Sequence, residues 1–344
     1  MDAQTAPAVP SPTPRGGNQS ALRWASRNAR ILAPLMTLVI EILFFWSRSD
    51  VFMTVGNMQN VVTQVGPIAV AAVGITFVLL CAEIDLSIAS VAAFCGIIAT
   101  YIFSNDWHGL GQWGLLVGAL LGASLGLING IFICYVGIPS FMMTLAMLTI
   151  ASGMATFVSD GQIIRNAPPA TIDLASVSNK FVGIPIVGFV AIGVLILGDI
   201  VLNYTKFGRY VYMTGGNREA AELSGVNTKR VLLNVMTISG FTAGITGMLF
   251  VGRLRSANPE AGTSLLIDTI AAVVLGGTSL FGGEGGIKNT ALGLLIFAFL
   301  TNGLNLLPNV SFYFKEALQG IILVAALVLN VIALRLERVQ VRTE

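Results

Sequence analysis

The residues able to do chemistry sit at a few sharply defined places. Between two apolar runs the chain reads Cys81-Ala-Glu-Ile-Asp-Leu-Ser-Ile-Ala-Ser90, which sets Glu83, Asp85 and Ser87 on alternate positions. Asp85 is suited to cap the following helix by accepting from its free N–H groups. A second carboxylate, Asp268, stands in Leu266-Ile-Asp-Thr-Ile-Ala-Ala-Val-Val274 and takes the same capping position before another apolar run. Matched Ile84-Asp85 and Ile267-Asp268 pairs are what an inverted-topology repeat would leave; two independent caps would look the same. Three amides, Asn129, Asn302 and Asn305, also fall in apolar runs, the last two sharing a helix face. They can bond a polar solute or a neighbouring helix. Glu41 lies within an apolar run, where a carboxylate is either functional or paired between helices.

What is missing narrows the chemistry. One histidine, His108, and three scattered cysteines, Cys81, Cys95 and Cys134, supply neither a Ser/His/Asp triad nor a structural zinc set, and imply no disulfide framework. The segment Gly276-Gly-Thr-Ser-Leu-Phe-Gly-Gly-Glu-Gly-Gly286 is Gly-rich but lacks the Gly-Lys-Ser/Thr ending of a phosphate loop, and reads as a tight turn. No cofactor is expected, and no catalytic or metal-binding residue.

A different kind of site lies in 203–232. There Gly215-Gly-Asn-Arg-Glu-Ala-Ala-Glu-Leu-Ser-Gly225 predicts a short helix, capped by Asn217, with Glu219 in its first turn and Gly225 ending it. Ala220, Ala221 and Leu223 give it a small apolar contact surface. Such a helix suits docking onto a soluble partner; a solvated connector would look similar.

The elements that must hold these residues follow from where charge is absent. The chain has 344 residues, 55% hydrophobic and only 10% charged, with a mean hydropathy of +0.81. A soluble globular domain carries roughly 25% charged residues. This composition excludes an ordinary soluble enzyme, a disordered protein and a nucleic-acid binder, and leaves an integral membrane protein. Uncharged windows divide into about ten spans of roughly membrane length, near 31–47, 59–80, 86–103, 112–136, 140–158, 183–202, 233–252, 267–281, 290–306 and 316–334. Helices are expected, because lipid offers the backbone no hydrogen-bond partner. The repeat would relate spans 2–5 to spans 7–10. With both termini cytoplasmic, thirteen of the nineteen basic residues fall inside, as the positive-inside rule requires. Residues 1–28 read as a disordered cytoplasmic tail, 29–338 as the membrane domain, 203–232 as its longest inner loop and 159–182 as an outer loop. Glycines 114, 118, 122, 126 and 130 recur every four residues, and 240, 244 and 247 repeat the device. Such stripes let helix backbones approach closely, and can also serve as a sliding surface.

Four blocks together resemble the permease subunits of ribose/xylose-type bacterial ABC sugar importers. They are Glu83-Ile-Asp-Leu-Ser-Ile-Ala-Ser90, Gly137-Ile-Pro-Ser-Phe-Met-Met-Thr-Leu145, Gly215–Val226, and Ile267–Thr278 followed by Gly282-Gly-Glu-Gly. Ala89, Leu266 and Asn289 depart from that pattern. The resemblance implies an all-α fold similar to the vitamin B12 importer permease, assembled as a pair of permease subunits in the inner membrane. It makes Gly216, Asn217, Glu219, Ala220, Ala221, Glu222, Ser224 and Gly225 the coupling helix that docks on a cytoplasmic ABC ATPase. It also implies a periplasmic sugar-binding protein docking near 159–182. Candidate translocation or gating residues are Glu83, Asp85, Ser87, Asn129, Phe141, Thr144, Asp268, Asn302 and Asn305. The competing expectation is an ion-coupled secondary transporter, which would use Glu41.

Overall fold

The computed structural model describes residues 29–105, 113–260 and 264–308, with scattered positions between 311 and 328. The tail 1–28, His108, most of the expected tenth span and the C-terminal boundary at 338 lie outside the described residues. Among the described residues the apolar runs form helices, the arrangement that satisfies the backbone from within. They are α1 (Ala29–Arg48), α2 (Val55–Leu80), α3 (Ile88–Ser104), α4 (Gly114–Ile131) with a π-helical continuation (Phe132–Val136), and α5 (Ser140–Ser159). After a short α6 (Pro169–Ala175) come α7 (Ile186–Tyr204), α8 (Lys206–Gly216), α9 (Arg218–Leu223), α10 (Thr228–Leu254), α11 (Leu265–Leu275) and α12 (Ile287–Leu306). Six of these are long and apolar enough to cross a membrane: α2, α4 with its continuation, α5, α7, α10 and α12.

Two helices form the axis. The apolar windows of α2 and α10 are 83% and 72% buried, against 28% for both α5 and α7, so the first pair is the core and the second faces outward. α10 packs on α2, α3 and α4; α2 packs on α10, α11 and α12; α3 lies on α4 and α11 on α12. One end of the bundle carries two small antiparallel ribbons: β1 (Ile164–Arg165) pairs with β4 (Ser256–Ala257), and β2 (Lys180–Phe181) with β3 (Ile184–Pro185). At the other end Ala82, Gly215-Gly216 and Gly282-Gly283 meet, and the Gly283 N–H donates to the Leu80 carbonyl at 3.0 Å.

The glycine stripe brings the backbones of α4 and α10 into direct contact. A methyl group built on Gly122 would strike the Gly240 carbonyl oxygen, one on Gly126 the Met236 carbonyl, and one on Gly244 the Gly118 carbonyl. Gly247 instead faces α3, against the Ala92 carbonyl.

Two elements differ from the sequence reading. The eighth span was expected over 267–281, but α11 stops at Leu275, and its 11 residues cover roughly 16 Å, about half of a ~30 Å hydrocarbon core. Beyond it Gly277, Gly282, Gly283, Gly285 and Gly286 all take positive φ, so apolar residues within 276–281 belong to a turn. The helix α8 was not foreseen within the expected inner loop 203–232, and its Gly208, Gly215 and Gly216 disfavour a free helix. They are tolerated because α8 lies flat on its neighbours: a methyl on Gly208 would meet the Leu202 carbonyl, and one on Gly215 the Leu80 carbonyl.

Gly122→Ala is expected to lower stability by about 1–3 kcal/mol through overpacking. Gly193→Ala, in α7 where nothing lies within 4 Å, should stay within about 0.5 kcal/mol of the parent. Thermal unfolding of both variants in detergent micelles checks the contrast.

Candidate functional site

The break between α2 and α3 builds a polar centre inside the bundle. α2 closes at Cys81, Ala82 turns with φ +59°, and the chain runs irregularly to Ile88. Every residue of this stretch finds partners on other elements. Asp85, 3% exposed, accepts through Oδ1 from the Ser87 N–H at 2.8 Å and the Ser87 hydroxyl at 2.6 Å. Its Oδ2 accepts from the Ser239 hydroxyl of α10 at 2.6 Å. Asn129 of α4 donates to Ser87 Oγ at 3.1 Å, and its own Oδ1 is buried without a partner among the described residues. From α5, Ser140 Oγ accepts from the Ile84 N–H at 3.3 Å and Thr144 Oγ1 from the Leu86 N–H at 3.1 Å. Buried polar groups need such pairing, since each one left open costs roughly 1–3 kcal/mol.

Asp85 therefore does not cap α3 as expected. Ser87 occupies that position, with its hydroxyl turned to Asp85 rather than capping the helix, and Asp85 closes a turn two residues earlier because its second oxygen is held by α10. Asp268 does not cap α11 either. The helix starts at Leu265 after Ser264, which places Asp268 in its first turn.

At the rim of this centre Glu83 and Arg218 form an ion pair at 2.5 Å. Arg218 is the first residue of α9, so the pair joins this short helix to the stretch between α2 and α3. Beside it lies a cavity of about 450 Å³ walled by Ala82, Ile84, Ile133, Ile138, Phe141 and the pair itself. Glu83, Asp85, Ser87, Asn129, Phe141 and Thr144 thus converge on one region. The remaining candidates do not join it. Asn302 exchanges two amide bonds with Asn57 of α2, at 2.8 and 3.0 Å, an inter-helix clamp. Asn305, expected on the same face, is exposed, and its carbonyl accepts from Lys315.

The helix α9 is built as its sequence predicts. Asn217 Oδ1 accepts from the Ala220 N–H at 3.0 Å, and Gly225 takes φ +82°, letting the Val226 N–H return to the Ala221 carbonyl at 3.0 Å. Ala221 and Val226 are buried beneath, and Glu222 accepts from the Thr228 hydroxyl at 2.5 Å. Asn217, Glu219, Ala220 and Ser224 are exposed, and Leu223 is 85% exposed. From the neighbouring Gly-rich turn Phe281 projects 90% exposed. That turn is held against α8 by the Tyr212 hydroxyl, which donates to the Gly285 carbonyl at 2.9 Å. Burial, and secondarily the Asp199 carboxylate, raise the Tyr212 phenol above its ordinary pKa, so it keeps its donor proton. Arg218, Ser239 and Phe281 were missed by sequence reasoning. Arg218 carried a signal, as a cation at the helix N-terminus where cations are disfavoured, whereas Ser239 and Phe281 gain their roles through tertiary placement.

A family model described as "Branched-chain amino acid transport system / permease component" matches residues 57–327. The ribose import permease protein RbsC of Haemophilus influenzae is 38% identical over 298 residues, covering 86% of this chain and 91% of that protein. The corresponding RbsC of Escherichia coli is 35% identical over 298 residues, covering 86% and 92%. The xylose transport system permease protein XylH of Escherichia coli is 29% identical over 377 residues, covering 91% and 94%. No solved structure matches the chain.

Asp85→Ala is expected to orphan the buried Ser87 and Ser239 hydroxyls, at about 1–3 kcal/mol for each group left unsatisfied. Asp85→Asn keeps one acceptor oxygen and should lose less. Unfolding midpoints in detergent rank the two variants against the parent.

Proposed function

Because this chain belongs to the family of branched-chain amino acid transport system permease components, we propose that it is the membrane-spanning subunit of an ATP-binding cassette importer for a monosaccharide. Its relatives are named for ribose and xylose import. ATP is bound and hydrolysed on a separate cytoplasmic subunit. The observation that carries this reading is α9, a capped helix whose Leu223 stands exposed at one end of the bundle, at which Phe281 of the Gly-rich turn is also exposed. Gly216, Asn217, Glu219, Ala220, Ala221, Glu222, Ser224 and Gly225 form this coupling element, with Leu223 and Phe281 as its apolar knobs.

The finer architecture belongs to the same proposal. Ten spans in a vitamin B12 importer-like arrangement, both termini cytoplasmic, put α9 inside and the outer loop 159–182 toward a periplasmic sugar-binding protein. Residues 1–28 form a tail and 29–338 the membrane domain, paired with a second permease copy. An inverted repeat of spans 2–5 and 7–10 is supported by the packing: α3 on α10 mirrors α11 on α2, α4 on α10 mirrors α12 on α2, and α3 on α4 mirrors α11 on α12.

In mechanism, nucleotide-driven closure of the ATPase pair displaces α9, and the bundle exchanges outward- and inward-open states for which the sugar-loaded binding protein and ATP have different affinities. Glu83, Asp85, Ser87, Asn129, Phe141 and Thr144 lie where the inner gate opens, and Asp268, Asn302 and Asn305 on the mirrored helices. One observation favours the ion-coupled alternative: Glu41 is buried in α1, and its Oε2 has no partner among the described residues.

Reconstitution with a matching ATPase and binding protein should give sugar uptake that needs ATP and survives a protonophore. Uptake that persists without the ATPase and collapses with the proton gradient would instead establish the Glu41 reading. Gly225→Val, which forces a β-branched residue to positive φ at a cost of about 1–2 kcal/mol, should lower uptake per ATP hydrolysed, as transport and hydrolysis assayed in the same vesicles report.

A further inference from the structure

We propose that the Glu83–Arg218 ion pair is the tie through which α9 moves the membrane bundle, with Glu83–Ser87 as the strut that distributes the movement. The proposal rests on the permease reading and adds to it which residues carry the coupling.

Three observations lead there. The first concerns reach. Asn217 bonds Ala220, Ser224 bonds Ala220 and Glu222 bonds Thr228, all within six residues. Arg218 alone among these side chains bonds a segment 135 residues away. Among these side-chain bonds, the Arg218 one is the polar link that carries α9 beyond itself and the start of α10 into the bundle.

The second is the asymmetry of the pair. The Glu83 side chain is 11% exposed and that of Arg218 45%. The carboxylate is the fixed end, set in the bundle; the guanidinium is the end that travels with α9. Removing Arg218 leaves a mostly buried carboxylate facing the 450 Å³ cavity without its cation, an unfavourable state that keeps the two ends together as α9 shifts. The cavity supplies room for that shift.

The third is the fan of bonds behind Glu83. Ile84 and Leu86 are held by Ser140 and Thr144 of α5, Asp85 by Ser239 of α10, and Ser87 by Asn129 of α4. A non-helical segment pinned at four successive residues has little slack. A pull at Glu83 therefore reaches the first turns of α5 and the inner halves of α4 and α10 together, while the glycine contact between α4 and α10 presents few side chains to resist sliding.

The test uses the full transporter in proteoliposomes, with E83Q, R218Q and the charge swap E83R/R218E. Wild-type uptake that requires the ATPase establishes the permease reading first; uptake without it removes both that reading and this one. Given coupled wild type, each single variant is expected to copurify with the ATPase and keep basal hydrolysis. Uptake per ATP should fall about five-fold or more, the lower end of ordinary coupling energies, and the swap should restore at least half of it. A merely structural pair would lower assembly and leave the ratio unchanged. Should E83Q fail to assemble, R218Q carries the test alone, its side chain being nearly half exposed. An unchanged ratio in R218Q, or a swap no better than the single variants, overturns the proposal.

Discussion

The polar centre at the α9 end of the bundle follows from one constraint: a chain that leaves the helix inside a packed membrane protein must still satisfy its backbone. Between α2 and α3 the backbone does so, and the N–H groups of Ile84, Leu86 and Ser87 need acceptors that no helix of their own supplies. Ser140, Thr144 and Asp85 provide them. Because two of those acceptors sit on α5, and Asp85 is itself held by α10, satisfying six residues of backbone fixes the relative positions of several helices. The polar centre is thus a by-product of a chain break, and it becomes useful because the break lies beside α9.

The rest of the bundle is organised to leave that region free to work. The ribbon end is tied by strand pairing and by the Asn57–Asn302 clamp, all direct hydrogen bonds between elements. The centre is held by backbone-to-backbone approach along the glycines. The α9 end joins its parts through the Glu83–Arg218 pair beside a cavity of about 450 Å³. Rigidity is concentrated away from the point where a soluble partner would push.

Much of this was legible in the residues. The six long apolar helices, the split at Gly137–Pro139, the cap of Asn217 and the positive φ of Gly225 all follow from local chemistry, because apolar length and turn sterics are properties of short stretches. The glycine stripe announced close packing and met it. The misreadings share a cause. Asp85 and Asp268 both looked like caps, because a carboxylate before an apolar run is a cap in isolation; Ser239, 154 residues away, redirects Asp85. The helix α8 was hidden because its glycines break a free helix, and only the carbonyls of Leu202 and Leu80 pressing on them explain their presence. Arg218 was visible as a residue, yet its meaning depended on Glu83, and no spacing rule joins positions that far apart.

The glycine contact between α4 and α10 also shapes how variants of this protein are to be interpreted. Every single-base change in a glycine codon that alters the residue adds at least one carbon or ends the chain, and at Gly122, Gly126, Gly240 and Gly244 even a methyl meets backbone. Each single-base substitution at these positions is therefore expected to cost stability through overpacking. A loss-of-transport allele recovered there reports failed assembly and says nothing of the solute's path. Alleles that separate passage from assembly are to be sought among residues with room around them, at the cavity beside Glu83 and Arg218.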